Sequence, residues 1–278
     1  MDLDQYRVDS LANWDRLSAA WGREREFIWD STGAVGRRLV ERLDPQPGQT
    51  VLELAAGTGD TGFTAAQRLG EDGKLISTDF APSMVEQARR VGAALGIANV
   101  EHRVLDAERM DLEDSSVDGV LCRWGYMLMA DPAAALAETR RVLRDGGRLC
   151  FSVWASPEHN PWAAIPGMEL VARGHLPAPE PGAPGIFAMA DPERIRELVT
   201  GAGFAEPEIE PIEITWDYGD PDEHWRFTME LAGPLAEAVA QLPGEEREAV
   251  SVAVHDRIGA LMADGGAVMG LCHNVTVS

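Results

Sequence analysis

The chain has 278 residues, enough for one large domain with an elaborated cap and a sizeable core. Its 24 basic against 46 acidic residues leave a formal charge of −22, so a surface this acidic argues against nucleic acid or an anionic membrane as a partner. Cys122, Cys150 and Cys272 lie far apart in apolar runs with no metal spacing, which predicts buried free thiols and no metal site. No signal-like segment opens the chain and no apolar run reaches the roughly 20 residues of a membrane span, so a cytoplasmic protein is expected.

Leu11, Trp14, Leu17 and Trp21 recur at helical spacing, so residues 1–30 are expected to form a helical lid, or else a helix packed on the core. Val35, Leu39 and Leu43 mark a second helix that stops at Asp44-Pro45-Gln46-Pro47-Gly48. Strand and helix then alternate. Val51–Ala55 is a strand, Asp60–Leu69 its helix, 74–79 a second strand, and Pro82 opens a helix running to Gly96. Val100–Asp106 and Val117–Arg123 are strands three and four. A helix opened by Asp131-Pro132 leads to strand five at Arg148–Trp154. Residues 155–190 are rich in proline and glycine and read as a long loop of lid or binding type. A helix over Arg194–Thr200 and a strand over Glu208–Trp216 follow. Helical stretches are expected near 221–241 and 244–263, then a last strand-like run at Met269–Val277. This rhythm implies a mostly parallel sheet with helices on both faces. We divide it into the lid (1–30), a core (31–154), and a substrate-side part (155–278) that carries a helical insertion before the last strand.

Gly57-Thr58-Gly59-Asp60-Thr61-Gly62 spells a dinucleotide fingerprint, and Asp79 lies 20 residues beyond Gly59, where a ribose-binding acid belongs. An NAD(P)-dependent oxidoreductase is therefore one reading. Two features oppose it. Glu53 ends the first strand, where a carboxylate would meet a pyrophosphate but suit a cation. Strand three also ends on an acid, Asp106. Glu53, Asp79 and Asp106 thus form a row along one carboxyl edge, where open α/β sheets bind ligands. An amine, a ribose diol and an adenine amino group would match that row.

With these residues in view, the sequence resembles class I S-adenosylmethionine-dependent methyltransferases, in particular the ubiquinone/menaquinone-biosynthesis type and its natural-product relatives. The likeness covers about residues 30–155. It rests on Leu52-Glu53-Leu54-Ala55-Ala56-Gly57-Thr58-Gly59, Thr78-Asp79-Phe80-Ala81-Pro82-Ser83-Met84, Asp106-Ala107, and Leu143-Arg144-Asp145-Gly146-Gly147-Arg148-Leu149. It implies a Rossmann-like, doubly wound sheet of seven strands and S-adenosylmethionine as cofactor. It also implies roles. Ala55 and Gly57 face the methionine part, with Glu53 organising that loop or meeting the ammonium. Asp79 takes both ribose hydroxyls. Phe80 and Met84 flank the adenine, which Asp106 and the Ala107 N–H read. Arg123 reaches the cofactor carboxylate or makes a surface ion pair. Ala55 stands where many relatives have glycine, which is tolerable at negative φ.

The expected reaction moves a methyl group to carbon or oxygen of a small hydrophobic or aromatic molecule. Trp124, Met127, Asn160 and Trp162, which follow strands four and five, are the expected acceptor contacts, and His159 is the candidate base. A protein that binds S-adenosylmethionine without catalysis is the non-enzyme alternative. Assembly into a homo-oligomer is left open.

Overall fold

A computed structural model describes residues 2–180, 182–263 and 265–278. Met1 of the expected lid and Pro181 of the expected loop lie outside the described residues. In chain order the elements are α1 (Leu3–Arg23), α2 (Arg25–Leu43), β1 (Thr50–Glu53), α3 (Asp60–Leu69), β2 (Lys74–Asp79), α4 (Pro82–Ala94), β3 (Val100–Val104), β4 (Val117–Arg123), α5 (Pro132–Val142), β5 (Leu143–Trp154), α6 (Pro161–Ala172), α7 (Pro192–Gly201), β6 (Glu208–Asp217), α8 (Pro221–Leu231), α9 (Gly233–Ala240), α10 (Gly244–Gly259) and β7 (Ala267–Val277).

Short β-branched and aliphatic runs build a seven-stranded sheet of order β3-β2-β1-β4-β5-β7-β6. β1 to β5 pair in parallel, and β7 runs antiparallel to both β5 and β6. The expected doubly wound α/β fold is the one found. Strand alternation supplies both faces. Val51 packs with Leu39, Phe63 and Leu121 on one side, while Leu52 packs with Val120, Leu136 and Phe151 on the other. The order reverses between β1 and β4, and a crevice outside the carboxyl ends of the strands opens at such a switch point. All three cysteines are free and buried. No helix among the described residues is long and apolar enough to cross a membrane.

β6 overshoots that edge. Ile212 pairs with Cys272, which pairs in turn with Trp154 at the end of β5. Trp216 is four residues further on, so it stands about 14 Å beyond the end of β5 at the ordinary rise of a strand. α1 spans the same edge. Its Tyr6 Oη donates to the Leu128 carbonyl at 2.8 Å, Arg7 pairs with Glu108, and Asp15 accepts from the Ser83 N–H at the head of α4 at 2.9 Å. Arg16 pairs with Glu237 of α9.

Three expectations need correction. The boundary at residue 30 falls inside α2, because α2 begins at Arg25 and not near Val35. Residues 155–190 are not all loop. α6 forms over Pro161–Ala172, since Pro161 sits in the first turn, where no N–H is missed, and Ala164, Ile165 and Leu170 bury one side. The stretch near 221–241 is two helices, broken at Ala232, with Pro234 in the first turn of α9.

Candidate cofactor and acceptor site

The site begins where β1 ends. The Ala56 N–H donates to the Thr78 carbonyl at 2.9 Å and the Gly57 N–H to Asp79 Oδ2 at 3.0 Å, tying the turn to the end of β2. Asp79 Oδ1 accepts from the Ala81 N–H at 3.0 Å. Burial raises the Asp79 pKa to about 6, against the opposing pull of the Ala81, Gly57 and Phe80 N–H groups. Gly57 has φ 56, and a Cβ placed on it would meet nothing within 4 Å, so the turn presents backbone to open space. Ala55 is left-handed at φ 49, which corrects the expectation of negative φ. The chain must still turn there as it would with glycine, so alanine carries strain of about 1–2 kcal/mol.

Glu53 is buried beneath the turn. Its Oε1 accepts from the Gly62 N–H at 2.6 Å and its Oε2 from Ser77 Oγ at 3.1 Å. Loss of water raises its pKa to about 8. That shift favours the protonated carboxyl at neutral pH, against the pull of Gly62, Ser77 and Arg123, and its two hydrogen bonds brace the loop. A Cβ on Gly62 would fall 2.1 Å from Glu53 Oε2, so that glycine is needed for the carboxyl to sit there.

Two guanidiniums flank the turn. Arg25 holds Asp60, the first residue of α3, through both nitrogens at 2.5 and 3.1 Å, and Thr58 Oγ1 donates to the same carboxylate at 2.8 Å. Arg123 Nη1 donates to Thr32 Oγ1 at 2.9 Å, and its guanidinium lies 5.5 Å from the Trp29 ring centre and 4.7 Å from that of Trp124. Among the described residues it makes no ion pair. Burial lowers its pKa, opposed by Asp60 and Glu53. Sequence reasoning missed Arg25, because 35 residues separate it from Asp60 and only the packing of α2 on α3 brings them together.

Asp106 is exposed just past β3 and its Oδ1 accepts from the Glu108 N–H at 2.9 Å, while Ala107 is buried. Phe80 is half-buried beside Asp79, and Met84 is fully buried in the first turn of α4. No cluster of metal-ligating side chains occurs among the described residues.

At the carboxyl ends of β4, β5 and β6, aromatic rings form a continuous cluster. Trp124, held at φ 60, stacks on Trp154 with centroids 4.2 Å apart and planes 13° apart. Trp154 touches Trp162 at 5.1 Å, and Trp162 touches Trp216 at 4.8 Å. Phe27, from the head of α2, packs on Trp216, Tyr218 and Phe227. Trp124 and Trp162 thus lie in this cluster, and Asn160 is bonded to it. Asn160 is fully buried, and its amide is used up as a brace. Oδ1 accepts from the Leu271 N–H at 3.0 Å and from Trp162 Nε1 at 3.2 Å, while Nδ2 donates to the Ala155 and Leu271 carbonyls. Met127 is core, with only 2% of its surface exposed. His159 is exposed on a single turn, its Nδ1 3.0 Å from Ser156 Oγ, so it lacks the enclosure a base needs. Trp216, Tyr218 and His224 were not singled out from the sequence, although the alternation of β6 ending in Trp216-Asp217-Tyr218 was a visible signal.

Residues 45–167 match the family model described as "Methyltransferase domain". This stretch belongs to a methyltransferase family. The chain is 35% identical over 118 residues to aklanonic acid methyltransferase DauC of a Streptomyces strain, a match covering 42% of this chain and 54% of that protein. The chain therefore spans about half the length of that relative. It is 29% identical over 253 residues to nocamycin O-methyltransferase of Saccharothrix syringae, covering 78% of this chain and 90% of that protein. The fold matches the crystal structure of the YcgJ protein from Bacillus subtilis with a TM-score of 0.60 at 16% identity, covering 88% of this chain and 97% of that one. The expectation of S-adenosylmethionine as cofactor agrees with this family.

Proposed function

We propose that the protein transfers a methyl group from S-adenosylmethionine to a carbon or oxygen of a small hydrophobic or aromatic molecule. The observation that carries this reading is the open glycine turn joined to Asp79 at the switch point of the sheet. Its fit to the cofactor is chemical. Gly57 offers close backbone approach, Asp79 offers acceptors for a ribose diol, and Asp106 with the Ala107 N–H stands at the neighbouring strand end for adenine. Phe80, just after β2, and Met84, in the first turn of α4, are the residues we assign to flank it. Arg123 supplies a cation for a carboxylate, with Arg25 fixing Asp60 and hence the head of α3. Glu53 keeps the turn in shape from below. When bound, the cofactor supplies an already activated methyl group, so the chain's task is to bind, align and exclude water. The tryptophan cluster beyond the turn suits a flat, apolar acceptor. The two methyltransferase relatives named above support a small-molecule acceptor.

The test is release of S-adenosylhomocysteine from S-adenosylmethionine in the presence of phenols, quinols and polyketides. Turnover with at least one member is expected. Tight cofactor binding without turnover on any member would favour the non-catalytic alternative.

A further inference from the structure

Pro166 lies inside α6 and has no N–H to give the carbonyl four residues back. That carbonyl belongs to Trp162, and it meets His224 Nε2 at 2.7 Å instead. A carbonyl only accepts, so Nε2 carries the proton, and Nδ1 of the neutral ring keeps a lone pair. His224 is fully buried and Nδ1 has no partner. Burial lowers the pKa of the ring, which keeps it neutral near pH 7. Tyr218 meets it edge-on, with centroids 5.0 Å apart, and the buried Tyr218 hydroxyl has no partner either. Burial holds that phenol in its protonated form. Of the other titratable groups, His255 of α10 is nearby, and its Nδ1 lies 2.5 Å from the Ser251 carbonyl.

Buried polar atoms are almost always paired, so a free acceptor and a free donor side by side call for a ligand that has both. The pair also lies on the carboxyl side of the sheet. Trp216 and Tyr218 rise beyond the carboxyl edge on the overshoot of β6, and Phe27 links them to the helix whose Arg25 holds the glycine turn's Asp60. We propose that His224 is the catalytic base and Tyr218 the hydrogen-bond donor for an acceptor whose phenol or enol hydroxyl stands next to a carbonyl oxygen. This rests on the methyl-transfer reading above. Tyr218 Oη–H donates to the acceptor carbonyl, and Nδ1 takes the hydroxyl proton. The electron pair left on oxygen forms the bond to the methyl carbon, while the carbon–sulfur bond breaks with its pair remaining on sulfur. Pro166 belongs to the device, because it frees the carbonyl that fixes which nitrogen is the base.

The test uses the full chain, 2-hydroxyacetophenone, and its more acidic 5-nitro analogue. His224→Gln keeps a side-chain N–H for the Trp162 carbonyl but removes the lone pair. The turnover number for 2-hydroxyacetophenone is expected to fall about 10²–10⁴-fold, and that for the nitro compound, already ionised in buffer, less than about tenfold. Tryptophan fluorescence of the S-adenosylhomocysteine complex reads phenol binding without turnover. There His224→Gln is expected to leave affinity within about threefold, and Tyr218→Phe to weaken the acylphenol about five- to tenfold but not plain phenol. Equal losses on both acceptors, an unaffected His224→Gln, or a wild-type complex that binds neither acylphenol would overturn the assignment. Failure of S-adenosylhomocysteine itself to bind would instead remove the methyl-transfer reading on which it rests.

Discussion

Replacing Glu53 by Gln tests the account of the turn through stability alone. The carboxyl titrates near 4.5 in an unfolded chain and at about 8 in the folded one. Between those values the folded protein holds a proton that the unfolded chain has released. Stability therefore falls as pH rises through this window, and the full cost is reached above about pH 8. Each pH unit between the two values is worth about 1.4 kcal/mol, so the cost is on the order of 2–5 kcal/mol once some relaxation around the buried charge is allowed. Gln cannot ionise. Its carbonyl oxygen still accepts from the Gly62 N–H, and its amide nitrogen meets Ser77 Oγ, which can accept. Asp79 adds a slope of the same sign between 3.8 and about 6, but it does so in both proteins and cancels in the difference. Urea unfolding of wild type and variant from pH 5 to pH 8.5 is the assay. The variant should gain on wild type steadily, ending several kcal/mol ahead. A difference that stays flat across this range would refute the assignment of Glu53 as a buried, largely protonated brace.

Ala55→Gly should raise stability by about 1 kcal/mol in urea unfolding, because glycine takes φ 49 without strain; no gain would mean that alanine is relaxed there. Asn160→Ala should cost at least about 2–3 kcal/mol by leaving the Leu271 N–H and the Trp162 indole N–H without an acceptor and the Ala155 carbonyl without its side-chain donor, as denaturation will show; a stable variant with only a raised acceptor KM would return Asn160 to the acceptor site. Asp79→Ala should weaken S-adenosylhomocysteine by about 1–3 kcal/mol in calorimetry, and unchanged affinity would remove Asp79 from the site.

The fold was legible because its signals are local. Short strands, two of them ending in Glu53 and Asp79 and the third followed two residues on by Asp106, with glycines and prolines punctuating the helices, prescribe the parallel part of the sheet without knowledge of distant contacts. The cofactor edge followed, since strand ends of one parallel sheet share an edge. What sequence could not give was set by packing. Whether Glu53 is charged depends on Ser77 and Gly62 enclosing it, and Ala55 takes its φ from a turn tied to Thr78 and Asp79. Arg25 meets Asp60 only through the docking of α2. The acceptor side was least legible. Asn160 and His159 are adjacent polar residues after β5, yet one faces inward as a brace and the other faces solvent. His224 is drawn to Trp162 by a carbonyl that Pro166, 58 residues earlier, leaves free.

The central claim is that the glycine turn holds S-adenosylmethionine and not a dinucleotide. Calorimetry of the full chain with S-adenosylhomocysteine and, separately, NAD tests it most directly. S-adenosylhomocysteine should bind at one site per chain, with NAD giving no saturable heat at the same concentrations. Tight binding of NAD with none of S-adenosylhomocysteine would contradict it.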